Sequence, residues 1–429
     1  MREMKDSGIE WIGEIPADWE LSKIGAVYEE RNEKVSDADF PPLSVTKQGV
    51  VPQLETAAKT NDGDNRKLIR KNDFVINSRS DRRGSCGISE YDGSCSLINT
   101  VLKPRRNMCN AYYSFVFRSE RFADEFYSWG NGIVDDLWST KWSNMKRIYI
   151  PAPSLQEQRR IADYLDRKCS QIDAIIARQQ EVIEKLKAYK LSVITEAVTK
   201  GLNPDVPMKD SGIPWVGNIC NHYALSRVGA FCFVTKLAGF EYTDIMSSAI
   251  SDTGEVPIVR AQNVRMFNFN DNIDEYIGLD VSQKLHRCAL NKKCLLITFI
   301  GAGIGDVCVF SKTMRYHLAP NVAKIEIRDE YKTILDEEYL MFYLGSLAGK
   351  GEISKISKAS AQPSLSMGTI RGITIAVPPI DEQREISEYL SKKIAFIDKV
   401  VRDKESIIEN LLAYKSSLIY EVVTGKKEV

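Results

Sequence analysis

The chain is organised around the segment Leu155 to Thr199, LQEQRRIADYLDRKCSQIDAIIARQQEVIEKLKAYKLSVITEAVT. A close copy, IDEQREISEYLSKKIAFIDKVVRDKESIIENLLAYKSSLIYEVVT, begins 225 residues later at Ile380 and ends at Thr424. Neither copy contains glycine or proline, and at about 1.5 Å per residue each would form a rod of about 68 Å. The sequence therefore predicts two long helices, one in the middle of the chain and one near its end.

Side chains in both copies recur every seven residues, which is the pattern of a coiled-coil seam. In each copy one row contains a polar residue at the equivalent position, Gln179 in the first and Lys404 in the second. A polar residue in a seam selects one specific pairing at a cost in stability. The alternative is a pair of ordinary amphipathic helices, each packed on its own domain. The predicted helix-pairing residues are Leu165, Ile172, Gln179, Leu186, Leu390, Ile397, Lys404 and Leu411. The predicted second row of the first helix is Lys168, Ile175, Val182, Tyr189 and Glu196.

A second repeated segment precedes each helix. MKDSGIEWIGEIPADWELSKIGAV at Met4 to Val27 returns as MKDSGIPWVGNICNHYALSRVGAF at Met208 to Phe231. The chain is thus a segment, a variable domain and a long helix, followed by the same plan again. Two copies this long indicate a duplicated domain rather than a repeat array. Such a duplication predicts a pseudo-two-fold molecule with antiparallel helices.

The variable stretches contain short apolar runs separated by turn residues, which is typical of strands with a few helices. Helices are expected near 110–127 and 336–347, and Ser154 and Glu157 have the spacing of a capping box. The predicted class is α+β, with two mixed α/β domains in pseudo-two-fold arrangement, separated by two long antiparallel coiled-coil helices. The predicted boundaries are 1–153 for the first domain, 154–200 for its helix, 201–207 for a linker, 208–379 for the second domain, 380–425 for its helix and 426–429 for a tail.

Composition excludes several classes of function. The 429 residues include 58 Lys plus Arg and 58 Asp plus Glu, so total charge does not indicate nonspecific nucleic-acid binding. The nine cysteines form no CxxC pair and the three histidines are scattered, so no disulfide framework, metal site or catalytic histidine is predicted. No apolar run is long enough to cross a membrane and no signal peptide is recognisable, which predicts a cytoplasmic protein.

The segment GAGIGD at Gly301 to Asp306 invites a nucleotide-binding interpretation. It follows a predicted strand but leads into VCVF at Val307 to Phe310, which is typical of another strand. A dinucleotide site needs a helix at that point. We therefore interpret the segment as a tight turn, and no GxxxxGK[ST] phosphate loop exists elsewhere.

The duplicated plan and the motifs PSLQEQRRIADYLD at 153–166 and PPIDEQREISEYL at 378–390 resemble the specificity subunit of type I restriction-modification systems. DFVINSRSDRRGSCGISEYDGSCSLINTVLKP at Asp73 to Pro104 resembles a target recognition domain of that family. SAQPSLSMGTIRGITIAVPP at Ser360 to Pro379 resembles the usual ending of such a domain. The resemblance covers essentially the whole chain.

This resemblance implies that each target recognition domain binds double-stranded DNA and reads one half of an asymmetric two-part sequence. The helices would set the unread spacer and dock two methyltransferase subunits, and restriction motor-nuclease subunits would complete the enzyme. S-adenosylmethionine, ATP and Mg²⁺ would belong to those partners, with no cofactor and no active site in this chain. The alternatives are a coiled-coil scaffold and a self-contained DNA methyltransferase. The latter needs a catalytic motif, and an NPPY-type tetrapeptide is missing.

Local charge supplies the candidates for DNA contact. Residues 66–106 contain ten basic side chains against four acidic ones. Arginine and amide side chains on turns are suited to phosphate and base contacts, although a solvated charge run is the plainer interpretation. The candidate DNA-binding residues are Lys47, Asn77, Arg79, Arg82, Arg83, Arg105, Arg106 and Lys141 in the first domain, and Arg260, Gln262, Asn263, Arg265, Lys312, Arg315, Lys358 and Gln362 in the second. No catalytic or metal-binding residue is predicted.

Overall fold

The computed structural model describes residues 2–53, 63–79, 82–105, 107–132, 138–301, 303–357 and 364–429. The chain divides into two compact units. Unit 1 comprises Met1–Gln180 and Lys404–Val429, and unit 2 comprises Glu181–Asp403. Each unit therefore contains one variable domain and parts of both long helices.

The first half of the chain contains the strands β1 (Met4–Asp6), β2 (Glu14–Pro16), β3 (Glu20–Lys23), β4 (Tyr28–Glu30), β5 (Lys34–Val35), β6 (Leu43–Thr46), β7 (Gly49–Pro52), β8 (Arg66–Ile69), β9 (Phe74–Asn77), β10 (Cys86–Ile88), β11 (Gly93–Cys95), β12 (Asn99–Pro104) and β13 (Tyr149–Ala152). Its α-helices are α1 (Ile24–Val27), α2 (Asn110–Arg118), α3 (Glu120–Ser128), α4 (Trp142–Met145) and the long helix α5 (Leu155–Lys200).

The second half contains the strands β14 (Met208–Asp210), β15 (Asn218–Cys220), β16 (Ala224–Arg227), β17 (Cys232–Lys236), β18 (Val256–Val259), β19 (Val264–Arg265), β20 (Asn268–Phe269), β21 (Tyr276–Ile277), β22 (Ala289–Leu290), β23 (Cys294–Thr298), β24 (Val307–Phe310), β25 (Tyr316–Leu318), β26 (Val322–Ile327) and β27 (Thr374–Val377). Its α-helices are α6 (Val228–Phe231), α7 (Gly239–Glu241), α8 (Leu279–Lys284), α9 (Glu337–Gly345), α10 (Leu347–Ser357), α11 (Met367–Gly372) and the long helix α12 (Ile380–Val423).

Both units contain the same four-stranded antiparallel sheet. The strand order is β10-β9-β12-β4 in unit 1 and β24-β23-β26-β17 in unit 2. β23 and β24 form a hairpin in which the Gly305 N–H donates to the Thr298 carbonyl at 2.9 Å. The tight-turn interpretation of the GAGIGD segment is therefore confirmed.

The predicted helix near 110–127 is two helices. Ser119 interrupts it, because this residue has extended backbone angles (φ −66°, ψ 141°) and its hydroxyl donates to the Val116 carbonyl at 2.7 Å. The helix predicted near 336–347 is α9, and it begins where the Asp336 carboxylate accepts from the Tyr339 N–H at 3.0 Å. That side chain satisfies a backbone donor that has no partner inside the helix.

Each repeated segment pairs with the last strand of its own unit. β3 pairs with β13 and β16 pairs with β27, so the segment joins the last strand before the long helix. Ser154 accepts from the Glu157 N–H at 3.3 Å, as its capping position predicts. The Glu157 carboxylate does not complete a capping box, because it accepts instead from Trp19 Nε1 at 3.0 Å. Glu382 accepts from the Tyr223 hydroxyl at 2.7 Å in the equivalent place.

The glutamine that follows each of these glutamates is buried and fully hydrogen-bonded. Gln158 Oε1 accepts from the Cys109 N–H at 2.9 Å, while its Nε2 donates at 2.8 Å to the carbonyl of the proline two residues before the helix. Gln383 makes the same bonds in unit 2, to the Asp336 N–H at 2.9 Å and to a proline carbonyl at 2.8 Å. The repeated EQR motif thus fastens each long helix to the domain that precedes it.

The two long helices pair antiparallel inside each unit. In unit 1, Lys415 lies 2.6 Å from Asp173, and Lys404 Nζ donates to Gln179 Oε1 at 2.9 Å. In unit 2, Lys190 lies 2.7 Å from Asp398. Residue numbers rise along one helix as they fall along the other, so the predicted antiparallel coiled coil, and with it the α+β class, is confirmed.

The second row of the seam is shifted by one residue along the first long helix from the predicted row. The buried row runs through Cys169, Ile176 and Ile183, whereas Ile175 and Tyr189 are 46% and 49% exposed. Spacings of three and of four residues both fit a heptad pattern. Burial of Cys169 and Ala197 in place of Lys168 and Glu196 avoids the desolvation of two charged groups.

All nine cysteines are free, and eight of them are buried. Burial raises the pKa of Cys86 to about 11, so its thiol stays protonated near neutral pH. None of the helices among the described residues has the length and apolar character that a membrane-crossing helix needs.

His317 in β25 is fully buried, with its ring nitrogens 3.1 Å and 3.2 Å from the carbonyl oxygens of Leu318 and Leu285. Burial lowers the pKa of His317, against the opposite effect of these two carbonyls. The unfolded chain therefore binds more protons, and unit 2 loses stability as the pH falls below about 6.5, the value of an unperturbed histidine.

We expect the urea midpoint of unit 2 to fall between pH 7.5 and pH 5.5, and to fall less in His317→Gln. The control is His286→Gln, because His286 is exposed, and this variant should keep the full pH dependence. The same pH dependence in all three proteins would contradict the role given to His317.

Candidate nucleic-acid interface

One end of the four-stranded sheet in unit 1 collects two segments that are far apart in the sequence. β9 ends there at Asn77, and the turn of residues 78–85 begins. The loop before α4 is attached to this turn, because the Thr140 N–H donates to the Ser78 carbonyl at 2.9 Å and Arg79 forms a β-bridge with Ser139. We call residues 77–79 and 138–141 the sheet end of unit 1. The predicted Arg79 and Lys141 are thus brought together.

The candidate residues at this sheet end have different surroundings. Asn77 is buried and its Oδ1 accepts from the Arg79 N–H at 3.1 Å, so its side chain shapes the turn. Arg79 is half-buried, and within the described ranges its guanidinium forms no ion pair. Lys141 is exposed just before α4, and Lys47 is exposed in the turn between β6 and β7. Arg79 is therefore an arginine at this sheet end whose guanidinium has no ionic partner among the described residues.

Arg83 is engaged inside the domain. It pairs with the Asp124 carboxylate of α3, and its guanidinium lies 5.6 Å from the centre of the Tyr127 ring. Together with Lys47 it lines a groove of about 450 Å³. Arg82, on the same turn, is exposed.

Arg105 does not belong to this sheet end. Its Nε donates to the Tyr28 carbonyl at 3.3 Å, and its Nη1 lies 3.8 Å from the Glu29 carboxylate. These contacts lie beyond the far end of β12, which starts at Asn99 opposite Asn77. Arg106 lies outside the described residues.

Unit 2 has the same construction with different side chains. Ile300 forms a β-bridge with Ser364, as Arg79 does with Ser139 in unit 1. β17 ends at the same place, where the Lys236 ammonium lies 5.0 Å from the centre of the Phe299 ring. The Phe299 N–H donates to the carbonyl of Asn321, the residue before β26, at 3.1 Å. We call residues 299–301, 303–306, 319–321 and 236–242 the sheet end of unit 2.

The turn at the sheet end of unit 2 is rich in glycine, whereas the turn in unit 1 carries arginines. Gly301 and Gly305 have φ values of +100° and +87°, and residues that carry a Cβ rarely adopt this backbone conformation. A Cβ added to Gly301 would meet no atom within 4 Å. The turn therefore offers its backbone to an approaching ligand.

Most of the candidates predicted in the second domain are engaged in internal contacts. Asn263 is buried and donates to the carbonyls of Asn270 at 3.0 Å and Asn272 at 2.9 Å, which holds a loop together. The remaining internal contacts are Arg260 with Glu275, Gln262 with Asp274 at 3.1 Å, Lys312 with Asp271 at 2.5 Å, and Arg315 with the Ser282 hydroxyl at 2.7 Å. Lys358 and Gln362 lie outside the described residues.

Arg265 is exposed and forms no ion pair within the part of the chain that the structure describes. Lys312 and Arg315 follow the end of β24 that is remote from the turn, so they do not reach the sheet end. Sequence inspection missed Lys236 and Asn321. Both residues lie beside the ends of predicted strands. This position could indicate a shared site only once the pairing of the strands was known.

The comparison with protein families gives two matches, one in each half of the chain. A family described as "Type I restriction modification DNA specificity domain" matches residues 16–185 and 240–409. The chain belongs to this family. The prediction that it is a DNA sequence-specificity subunit of a type I restriction-modification system is thereby confirmed.

Curated specificity subunits match the chain at low identity. The chain is 22% identical over 444 residues to the putative type I restriction enzyme MjaX specificity subunit of Methanocaldococcus jannaschii, which covers 97% of this chain and 96% of that protein. It is 23% identical over 363 residues to the EcoKI specificity subunit of Escherichia coli K12, covering 83% and 74%. The match to the EcoBI specificity subunit of Escherichia coli, 23% over 286 residues, covers 64% of this chain and spans 56% of that subunit.

Solved structures confirm the fold of a specificity subunit. One is a chain solved in work on complex assembly and conformational transition of the type I R-M system, with a TM-score of 0.72 at 15% identity over 96% of this chain and 99% of that one. Another is the HsdS subunit of Thermoanaerobacter tengcongensis, with a TM-score of 0.50 at 14% identity over 96% and 98%.

Proposed function

We propose that this specificity subunit reads a two-part sequence in double-stranded DNA, with unit 1 reading one half and unit 2 the other. The observation that carries the proposal is the repeated sheet end. The same hairpin turn is attached to the same loop in both units, yet the residue that forms the β-bridge to that loop is Arg79 in unit 1 and Ile300 in unit 2. One framework with two sets of surface groups suits the reading of two different sequences.

Within unit 1 the contacts divide into two kinds. Arginine pairs with the O6 and N7 atoms of guanine through two hydrogen bonds, which needs a guanidinium held in one orientation. We infer that Arg79 makes this contact, because the β-bridge to Ser139 holds its backbone and its guanidinium forms no ion pair within the described ranges. Lys47 and Lys141 are exposed point charges, and they suit phosphates, which position the protein on the duplex without specifying sequence.

We further propose that the two long helices dock two methyltransferase subunits. Each copy presents apolar or aromatic side chains to solvent, among them Tyr189 at 49% exposure and Tyr414 at 51%. These two tyrosines occupy equivalent positions in the two copies. Exposed apolar groups in equivalent places suit two copies of one partner.

The chemistry belongs to the partners in this proposal. The methyltransferase subunits bring S-adenosylmethionine, the restriction motor-nuclease subunits bring ATP and Mg²⁺, and this chain takes no cofactor and acts in the cytoplasm as a non-catalytic subunit.

The test is methylome sequencing of cells that express this chain with its companion methyltransferase, against cells that express the methyltransferase alone. A new two-part motif with methyladenine in each half supports the proposal. If both proteins are present and associated but no motif appears, the coiled-coil scaffold is the better account.

Replacement of Arg79 by alanine should weaken the reading of one half-site only. Loss of a good bidentate arginine contact costs about 1–3 kcal/mol, or roughly a 5- to 150-fold loss in discrimination. Methylome sequencing should show a relaxed base pair in one half of the motif and an unchanged other half.

Arg105→Ala is the matched control, since Arg105 lies at the other end of β12 and should leave the motif intact. An equal loss of affinity for all DNA in Arg79→Ala would reassign Arg79 to a phosphate contact.

A further inference from the structure

Phe240 is an apolar side chain presented to solvent at the sheet end of unit 2. Its side chain is 67% exposed, and it lies in α7, four residues after β17 ends at Lys236. Single exposed apolar residues are common on protein surfaces, so exposure alone is no argument. The way in which the turn is held supplies the argument.

The backbone around Phe240 is fixed on both sides. The Glu241 carboxylate accepts from the Ala238 N–H at 2.8 Å, and Arg287 donates to both oxygens of that carboxylate at 2.8 Å and 2.9 Å. Leu237 is buried at 3% exposure and anchors the start of the turn. Because the backbone that carries the ring is already fixed, its ordering costs little conformational entropy on binding, which is how a pre-organised contact gains affinity.

The groups around this ring suit a nucleic acid. Two residues further on, Tyr242 lines a groove of about 230 Å³ with Arg260 and Asn321. Lys236 precedes Phe240 by four residues, and its ammonium lies 5.0 Å from the centre of the Phe299 ring. Phenylalanine makes an apolar contact with the 5-methyl group of thymine in the major groove, and a nearby cation suits a phosphate.

We propose that Phe240 specifies a T·A pair in the half-site of unit 2 by contact with the thymine methyl group, with Lys236 at a neighbouring phosphate. This rests on the proposed reading of DNA by unit 2 and names one of its specificity-determining residues. The contact is apolar, so it discriminates thymine from cytosine and also from uracil in an otherwise identical pair.

Phe233 provides a matched control. It is 62% exposed on β17 in the same unit, but its ring lies 5.5 Å from the Arg328 guanidinium and it precedes the end of the strand. Phe233→Ala removes an equally exposed phenylalanine that does not belong to the sheet end. Phe240→Leu keeps an apolar side chain at the site itself.

The experiment uses the full chain with its methyltransferase partner, and begins with methylome sequencing of the wild type, Phe240→Ala, Phe240→Leu and Phe233→Ala. We expect Phe240→Ala to relax one T·A position in one half of the motif, while Phe233→Ala keeps the wild-type motif and Phe240→Leu lies between them. The same complexes are then titrated with duplexes that carry deoxyuridine in place of thymine at that position. Wild type should lose about tenfold in affinity and Phe240→Ala should lose almost nothing.

Two results would overturn the inference: an unchanged motif in Phe240→Ala, or an equal effect of deoxyuridine on both proteins. Failure of the proposed function itself is distinguishable, because the wild type would then produce no two-part motif at all.

Discussion

Inserting seven residues into each long helix, between Gln180 and Glu181 and between Asp403 and Lys404, is expected to lengthen the unread spacer by about three base pairs. Both half-sites should stay the same. Seven residues preserve the heptad register and add about 10.5 Å of helix, which corresponds to about three base pairs at about 3.4 Å each. The first insertion point lies just after Gln179 and the second just before Lys404, and the side chains of these two residues are hydrogen-bonded to each other.

The internal contacts of each unit should survive this change. The hydrogen bond between Lys404 and Gln179 belongs to unit 1, and the ion pair between Lys190 and Asp398 belongs to unit 2. Methylation of the original target should disappear, since one half-site would be out of register and the roughly 4–10 kcal/mol that separates specific from nonspecific binding would be lost.

Methylome sequencing of cells with the lengthened chain measures the outcome directly. A four-residue insertion in both helices is the control, because it shifts the seam off its heptad and should lower stability as well as activity. New bases in either half-site of the seven-residue variant would contradict the separation of spacer and reading that we propose.

Gln158→Ala is expected to lower the free energy of unfolding by about 2–3 kcal/mol, since it leaves the Cys109 N–H and a proline carbonyl without partners in a buried place. Gln383→Ala should have a similar effect in unit 2, where the same two kinds of backbone group lose their partner. A lower urea midpoint, followed by circular dichroism, is the measurement.

Two further variants show whether hydrogen bonding is responsible. Gln156→Ala makes the same substitution at an exposed position two residues earlier, and it should leave the midpoint within about 0.5 kcal/mol of wild type. Gln158→Glu keeps the size but cannot donate to the proline carbonyl, so it should be destabilised as well. A midpoint in Gln158→Ala equal to that of Gln156→Ala would show that the motif does not fasten the helix.

The candidate residues illustrate how far sequence inspection reaches. Arg79 and Lys141 were predicted on separate grounds, and the β-bridge between Arg79 and Ser139 brings the two loops together. Arg260, by contrast, was chosen for its position after a strand and is paired with Glu275. The sequence does not show whether an arginine is paired with a carboxylate in the folded chain. Phe240 was not among the predicted DNA-binding residues, because in the sequence a single phenylalanine cannot be distinguished from one that is buried in the core.

Heptad spacing, the absence of helix breakers and glycine-rich strand connections act over neighbouring residues, so the duplicated plan, the two long helices and the tight turn at Gly301 to Asp306 could be predicted from the amino-acid order alone. The buried row of the helices and the charged side chains that face solvent became known only from the packing of the folded chain. Those outcomes depend on partners distant in the chain, such as Asp124 for Arg83 and Asp271 for Lys312. An ion pair forms only when folding brings the two charged groups together, and the local sequence around either residue does not show whether this happens.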